Sequence, residues 1–131
     1  MAHSSKDRCG ALSVEVALCL PLLFMLLFGC YEMARANMLL HATESAAYEG
    51  ARVGIIPGAT KEKITAAASQ ILHSVGISDF TVEVTPSTIE RDTPVVEVTV
   101  KVPFSKNMAL PAMFMKNPTF SGVCKLSREI P

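Results

Sequence analysis

The stretch RCGALSVEVALCLPLLFMLLFG, residues 8–29, decides how the chain is organised. From Ala11 to Tyr31 the only charged side chain is Glu15. Twenty-one residues at about 1.5 Å of rise each suffice to carry a helix across a bilayer. An acid near the start of such a segment is costly unless it stays hydrated at the interface or meets a partner. The run therefore predicts a membrane span at 11–31 and asks what Glu15 is for.

The rest of the composition narrows the class. The chain has 131 residues, 50% of them hydrophobic, more than one modest domain needs for its core, and the excess lies in this run. Twelve basic residues balance twelve acidic ones, so there is no electrostatic footprint for nucleic acid. Cys9, Cys19, Cys30 and Cys124 follow neither a disulfide framework nor a metal-binding spacing. His3, His41 and His73 are scattered, and there is no phosphate loop, HExxH or CxxC, so the sequence predicts neither an enzyme nor a cofactor. His73 reads as a surface residue of an amphipathic helix.

Lys6 and Arg8 against Asp7 place residues 1–10 on the cytoplasmic side and send the rest across. Three readings compete for such an N-terminus: a cleaved secretory signal, a lipoprotein signal ending at Cys30 in LFGC (27–30), and a retained anchor. Phe28, Gly29, Cys30 and Tyr31 make a poor secretory cleavage site, and Phe28 is bulky for a lipidation signal.

The segment CGALSVE, residues 9–15, resembles the processing region of type IV pilin-like proteins. The resemblance implies that a prepilin peptidase cuts after Gly10 and leaves Ala11 as the first mature residue. Glu15 is then the fifth residue, where that superfamily carries an acid implicated in processing and assembly, its implied partner being the new α-amino group of a neighbouring subunit. Two opposite charges brought together into a low-dielectric bundle attract strongly, whereas either alone is penalised. Residues 10–52 as a whole are similar to the N-terminal region of the TadE-like family, minor pilin-like proteins of the tight-adherence (Tad/Flp) pilus system. Gly10, Val14 and Glu15, Pro21, YEMAR (31–35) and AAYEGAR (46–52) carry that resemblance. VKVPFSKNMALPAMF and the terminal SREIP are looser matches. Family members often carry several arginines before the glycine, whereas this chain has Lys6 and Arg8, with Cys9 adjacent.

The implied protein is a structural minor pilin or pseudopilin that helps initiate, cap or anchor a Tad-type pilus for surface adhesion. Its implied partners are other pilin-like subunits, the inner-membrane assembly platform, the prepilin peptidase and membrane lipid. Its implied place is the bacterial inner membrane, with the head in the periplasm or outside the cell. Two alternatives stand beside it: a membrane-tethered envelope protein without a pilus role, in which Glu15 is merely interfacial, and a secreted or lipidated binding domain released or anchored at Cys30.

Past the span, helical character continues to about Ala51, through an extension at 32–53, with Pro21 as a candidate bend. A helix from 12 to 51 would be about 60 Å long. Small residues at Ala42, Ser45, Ala46 and Ala47 permit close approach of another helix or a sheet, although alanine is also the best helix former. The remainder, 54–131, reads as a small head, making the whole an α+β, type IV pilin-like fold. Thr60 caps a helix with Ile64, Ala67, Ala68, Ile71, Leu72 and Val75 on its apolar face, Glu62 in its first turn and Gly76 at its end. Residues 80–84 and 95–102 alternate as antiparallel strands, with Phe80, Val82, Val84, Val96, Val98, Val100 and Val102 inward. A third strand is expected at 119–127, with Phe120, Cys124 and Leu126 inward. Core packing is the favoured role for Met108, Met113, Phe114 and Met115, against an exposed contact surface.

Overall fold

The computed structural model describes residues 4–87, 89 and 94–127, with side chains from Gly10 onward. His3, the side chains of Lys6, Arg8 and Cys9, most of the connection 86–94 and the terminal Arg128–Pro131 of SREIP lie outside the described residues.

A single helix, α1 (Ser4–Gly54), occupies 51 residues, about 76 Å at the standard rise. It runs through Pro21 as continuous helix. Its start precedes the expected one and its end lies three residues beyond Ala51. The stop comes where Gly54 is followed by a turn containing Pro57 and by Gly58 at φ +82°.

The second helix, α2 (Lys61–Ser74), begins as its sequence requires. Thr60 is extended and its hydroxyl accepts from the Lys63 N–H at 3.5 Å. The Glu62 carboxyl is held below its ordinary value by its own backbone N–H and by the Thr60 hydroxyl. At the other end, Ile77 N–H donates to the Leu72 carbonyl and Gly76 N–H to the His73 carbonyl, both at 3.0 Å. These two bonds form the paired closure that a left-handed residue allows, and Gly76 supplies it at φ +73°.

Three strands follow: β1 (Thr81–Thr85), β2 (Val95–Pro103) and β3 (Thr119–Ser127), forming an antiparallel sheet of order β1-β2-β3. Val100 pairs with Val82 on one side and Gly122 on the other. The inner face carries Val82, Val84, Val96, Val98, Val100 and Val102, with Phe120, Cys124 and Leu126 half-buried at its margin. The outer face presents Glu83, Thr99, Lys101, Ser121 and Lys125, and Lys101 meets Glu83 there at 2.9 Å. Alternation with period two thus sorts the strands into one wet and one dry face.

Both helices lie under the dry face. The second half of α1 packs against β2, β3 and α2, and α2 reaches β1. Ile64, Ala68 and Leu72 of α2 join Leu39, Ala46, Ala47 and Ala51 of α1 and the β2 valines in one core. Phe104, just past β2, is fully buried and meets Phe120 edge-on at 6.0 Å. The architecture is a two-layer α+β arrangement: a long helix, a short helix and three antiparallel strands.

Candidate functional site: the helix and its latch

Along α1 two environments succeed one another. Residues 11–28 are exposed without exception, and most are large and apolar; Leu22 is 71% accessible. By length and composition this helix is apolar enough to cross a membrane. From Glu32 onward a narrow stripe turns inward: Glu32, Ala36, Leu39, Thr43, Ala46, Gly50 and Gly54, spaced by three or four residues. That spacing keeps one helix face under the sheet.

The stripe is built of small residues because the sheet comes close. A Cβ added at Gly122 would stand 2.7 Å from the Thr43 carbonyl oxygen, so β3 rests directly on the α1 backbone. At Gly54 the same addition would meet a Val96 methyl at 2.8 Å. The buried Thr43 hydroxyl is satisfied within the helix, donating to the Leu39 carbonyl at 2.6 Å. Of the four small residues singled out for close packing, Ala42, Ala46 and Ala47 are buried beneath the chain's own head and Ser45 is exposed.

Where the two environments meet, an acid is buried. Glu32 is 3% accessible. Its carboxylate accepts from the backbone N–H groups of Met113, Phe114 and Met115, the last at 3.0 Å. Burial pushes this carboxyl upward, and three backbone donors together pull it further down, so it titrates below the ordinary glutamate value. One helical turn on, the Arg35 guanidinium donates twice to the Asn107 carbonyl, at 3.0 and 3.3 Å.

Asn107 is a hub. It lies in the short 3-10 turn Ser105–Asn107 after β2, and its side-chain oxygen accepts from Ser78 and Asp79 N–H at 3.0 and 3.1 Å. Its amide nitrogen donates to the Asp79 and Pro103 carbonyls at 2.8 and 3.0 Å. Both charged residues of YEMAR therefore hold the loop between β2 and β3 against α1.

The residues that the resemblance implies for processing lie at the other end. Gly10, Ala11 and Glu15 are all exposed on α1, and Glu15 makes no ion pair among the described residues. Cys19 and Cys30 are exposed and Cys124 is half-buried, all with free thiols. His73 is exposed, with Phe80 edge-on at 5.3 Å. Among the described residues, no group of three or more His, Cys, Asp or Glu side chains converges as a metal site would require.

The methionine-rich loop corrects the expectation of core packing. Met108 and Met115 do pack against the core, but Met113 is 68% and Phe114 48% accessible. The three backbone N–H groups that face Glu32 fix this segment with these two side chains turned out. Glu32 itself was missed by sequence reasoning. Its signal was the stripe: read backward from Gly54 by threes and fours, the inward positions end on position 32.

α1 thus carries a bare apolar half with an acid near its start and a close-packed small-residue stripe under the head. Residues 10–52 match the family model for TadE-like protein. The TadE-like stretch covers about a third of the chain and spans both the bare and the covered halves of α1. It ends two residues before the helix does, so β1 to β3 and α2 lie beyond it. No curated protein and no solved structure matches the chain. The TadE-like match suggests involvement with the Tad pilus.

Proposed function

We propose that this chain is a minor pilin or pseudopilin that takes part in assembling a Tad-type pilus, by initiating, capping or anchoring it for surface adhesion. The observation that carries the reading is the division of α1. Its apolar half, with Glu15 near the start, has no cover from its own head, while the other half keeps one face buried under it. In this reading the bare half crosses the inner membrane with residues 1–10 cytoplasmic and the head outside. It then packs against other pilin-like helices.

A prepilin peptidase removes the leader after Gly10, and the assembly platform receives the mature chain beginning at Ala11. Glu15 pairs with the new α-amino group of a neighbouring subunit. The pairing offsets the cost of an acid in the bilayer, which is about 2.5–3.5 kcal/mol at the centre of a helix and less toward an end. Ala42, Ala46 and Ala47 serve the chain's own head, which leaves Ser45 on the face available to a neighbour.

Intact mass and N-terminal peptide mapping of protein from its native envelope test this account. A chain starting at Ala11 is expected. A start at Met1 would retain the anchor and remove processing from the account, and a start at Cys30 or beyond would overturn it.

A further inference from the structure

The loop between β2 and β3 lies at one particular height on α1. The ring of Phe114 comes within 3.9 Å of the Cβ position of Gly29, and Glu32 holds the backbone of residues 113–115 just above it. Gly29 is eighteen residues beyond Ala11, about 27 Å along a helix, close to the roughly 30 Å of a hydrocarbon core. A span that begins at Ala11 thus ends at the level of Phe114. In this loop Leu110, Met113 and Phe114 are all exposed, as is Lys116, and Tyr31, also exposed, lies two residues beyond Gly29 on the helix.

Elsewhere the head's sheet turns a mostly polar face outward, with Val123 its one large exposed apolar residue. A loop with exposed apolar side chains and a lysine, touching the helix where an apolar stretch ends next to a tyrosine, has the composition of an interfacial contact.

We infer that the 109–116 loop is a lipid-contacting wedge, which seats the head on the outer leaflet by placing Leu110, Met113 and Phe114 at the headgroup and acyl boundary. The Glu32 carboxylate and Arg35 are the positioning groups that hold it there. The inference rests on reading residues 11–31 as a membrane span.

The test uses the full chain, with its four cysteines replaced by serine or alanine, in vesicles of zwitterionic and anionic phospholipid. A polarity-sensitive fluorophore is attached at Met113→Cys, and separately at Leu110→Cys in case labelling disturbs one site. Leu22→Cys reports on the span, and Lys61→Cys at the far end of the head serves as the aqueous reference. With nitroxide lipids labelled at the headgroup or shallow acyl positions, the probes at 113 and 110 should shift to shorter wavelength and lose most of their intensity. The probe at 61 should do neither.

If Leu22→Cys is quenched by lipid nitroxides while positions 113 and 110 behave like position 61, the wedge is overturned and the span stands. Should Leu22→Cys itself escape quenching, the span fails and the wedge with it. Probes at 113 and 110 shielded from both lipid and aqueous quenchers would mean that another protein covers the loop, which also overturns the inference.

Discussion

The two halves of α1 are one helix with two kinds of surface. Between Ala11 and Phe28 every residue faces outward and bulky side chains predominate; from Ala36 to Gly54 the buried face is made almost entirely of Ala, Gly and Thr, with Leu39 its one large side chain. Bulk is suited to a surface whose partner is lipid or a separate helix. Small residues are needed where a sheet already belonging to the chain must come within van der Waals distance of the backbone. Glu32 is the border, because it is the first side chain that the head covers.

The largest effect that would break this contrast is Gly122→Val. Its added carbons meet the backbone of Thr43 and Glu44 within 3 Å, and backbone cannot rotate out of the way. The cost should reach or exceed the upper end of about 1–3 kcal/mol seen for overpacking. Thermal unfolding of the head, followed by near-ultraviolet circular dichroism in detergent, should show the loss.

Next comes a matched pair. Leu39→Ala, at a fully buried position, should destabilise the head by about 2–5 kcal/mol in the same assay. Leu22→Ala, in the bare half, should leave head stability unchanged. Equal effects would mean that the two halves are not separate environments.

A more local response is expected of Glu32→Gln, which keeps the shape and removes the charge that accepts three N–H bonds. Hydrogen exchange should accelerate at Met113, Phe114 and Met115 and change little in β2. Since this carboxyl titrates below its ordinary value when folded, its contribution is present at neutral pH and fades as acid carries the solution down through the folded value. Protection of those three amides in the unsubstituted chain should fall over the same acid range, and the Gln variant should lack that dependence.

Smallest is Lys101→Ala on the wet face of the sheet. The partner Glu83 is half exposed, so the exchange should cost no more than about 1 kcal/mol, and less in high salt.

Much of this was legible in the chain. Val96, Val98, Val100 and Val102 alternate so regularly that their strand and its inner face follow directly, and Thr60 and Gly76 punctuate α2 where their chemistry allows. The first strand begins at Thr81 rather than Phe80, a shift of one residue within the usual uncertainty of an element's end. What could not be read was long-range. The spacing of the stripe leads to Glu32, but nothing near it in sequence marks the loop eighty residues later that supplies its donors. Met113 and Met115 are alike in composition, and only the path of the backbone past Glu32 decides that one turns out and the other in. Gly122 gave no hint either, because a glycine in a strand indicates a close approach without saying to what.

Because α1 passes from its bare apolar half to the head without interruption, the head has no swivel. Each residue of an α-helix advances the chain by about 100° around the axis, so the bearing of the sheet relative to Glu15 is set by the number of residues between them. One residue inserted between Leu22 and Phe28 would turn the whole head by about 100° while raising it only about 1.5 Å. In an assembly guided by Glu15, the count of apolar residues is therefore also a compass, fixing which side of the head each neighbour meets.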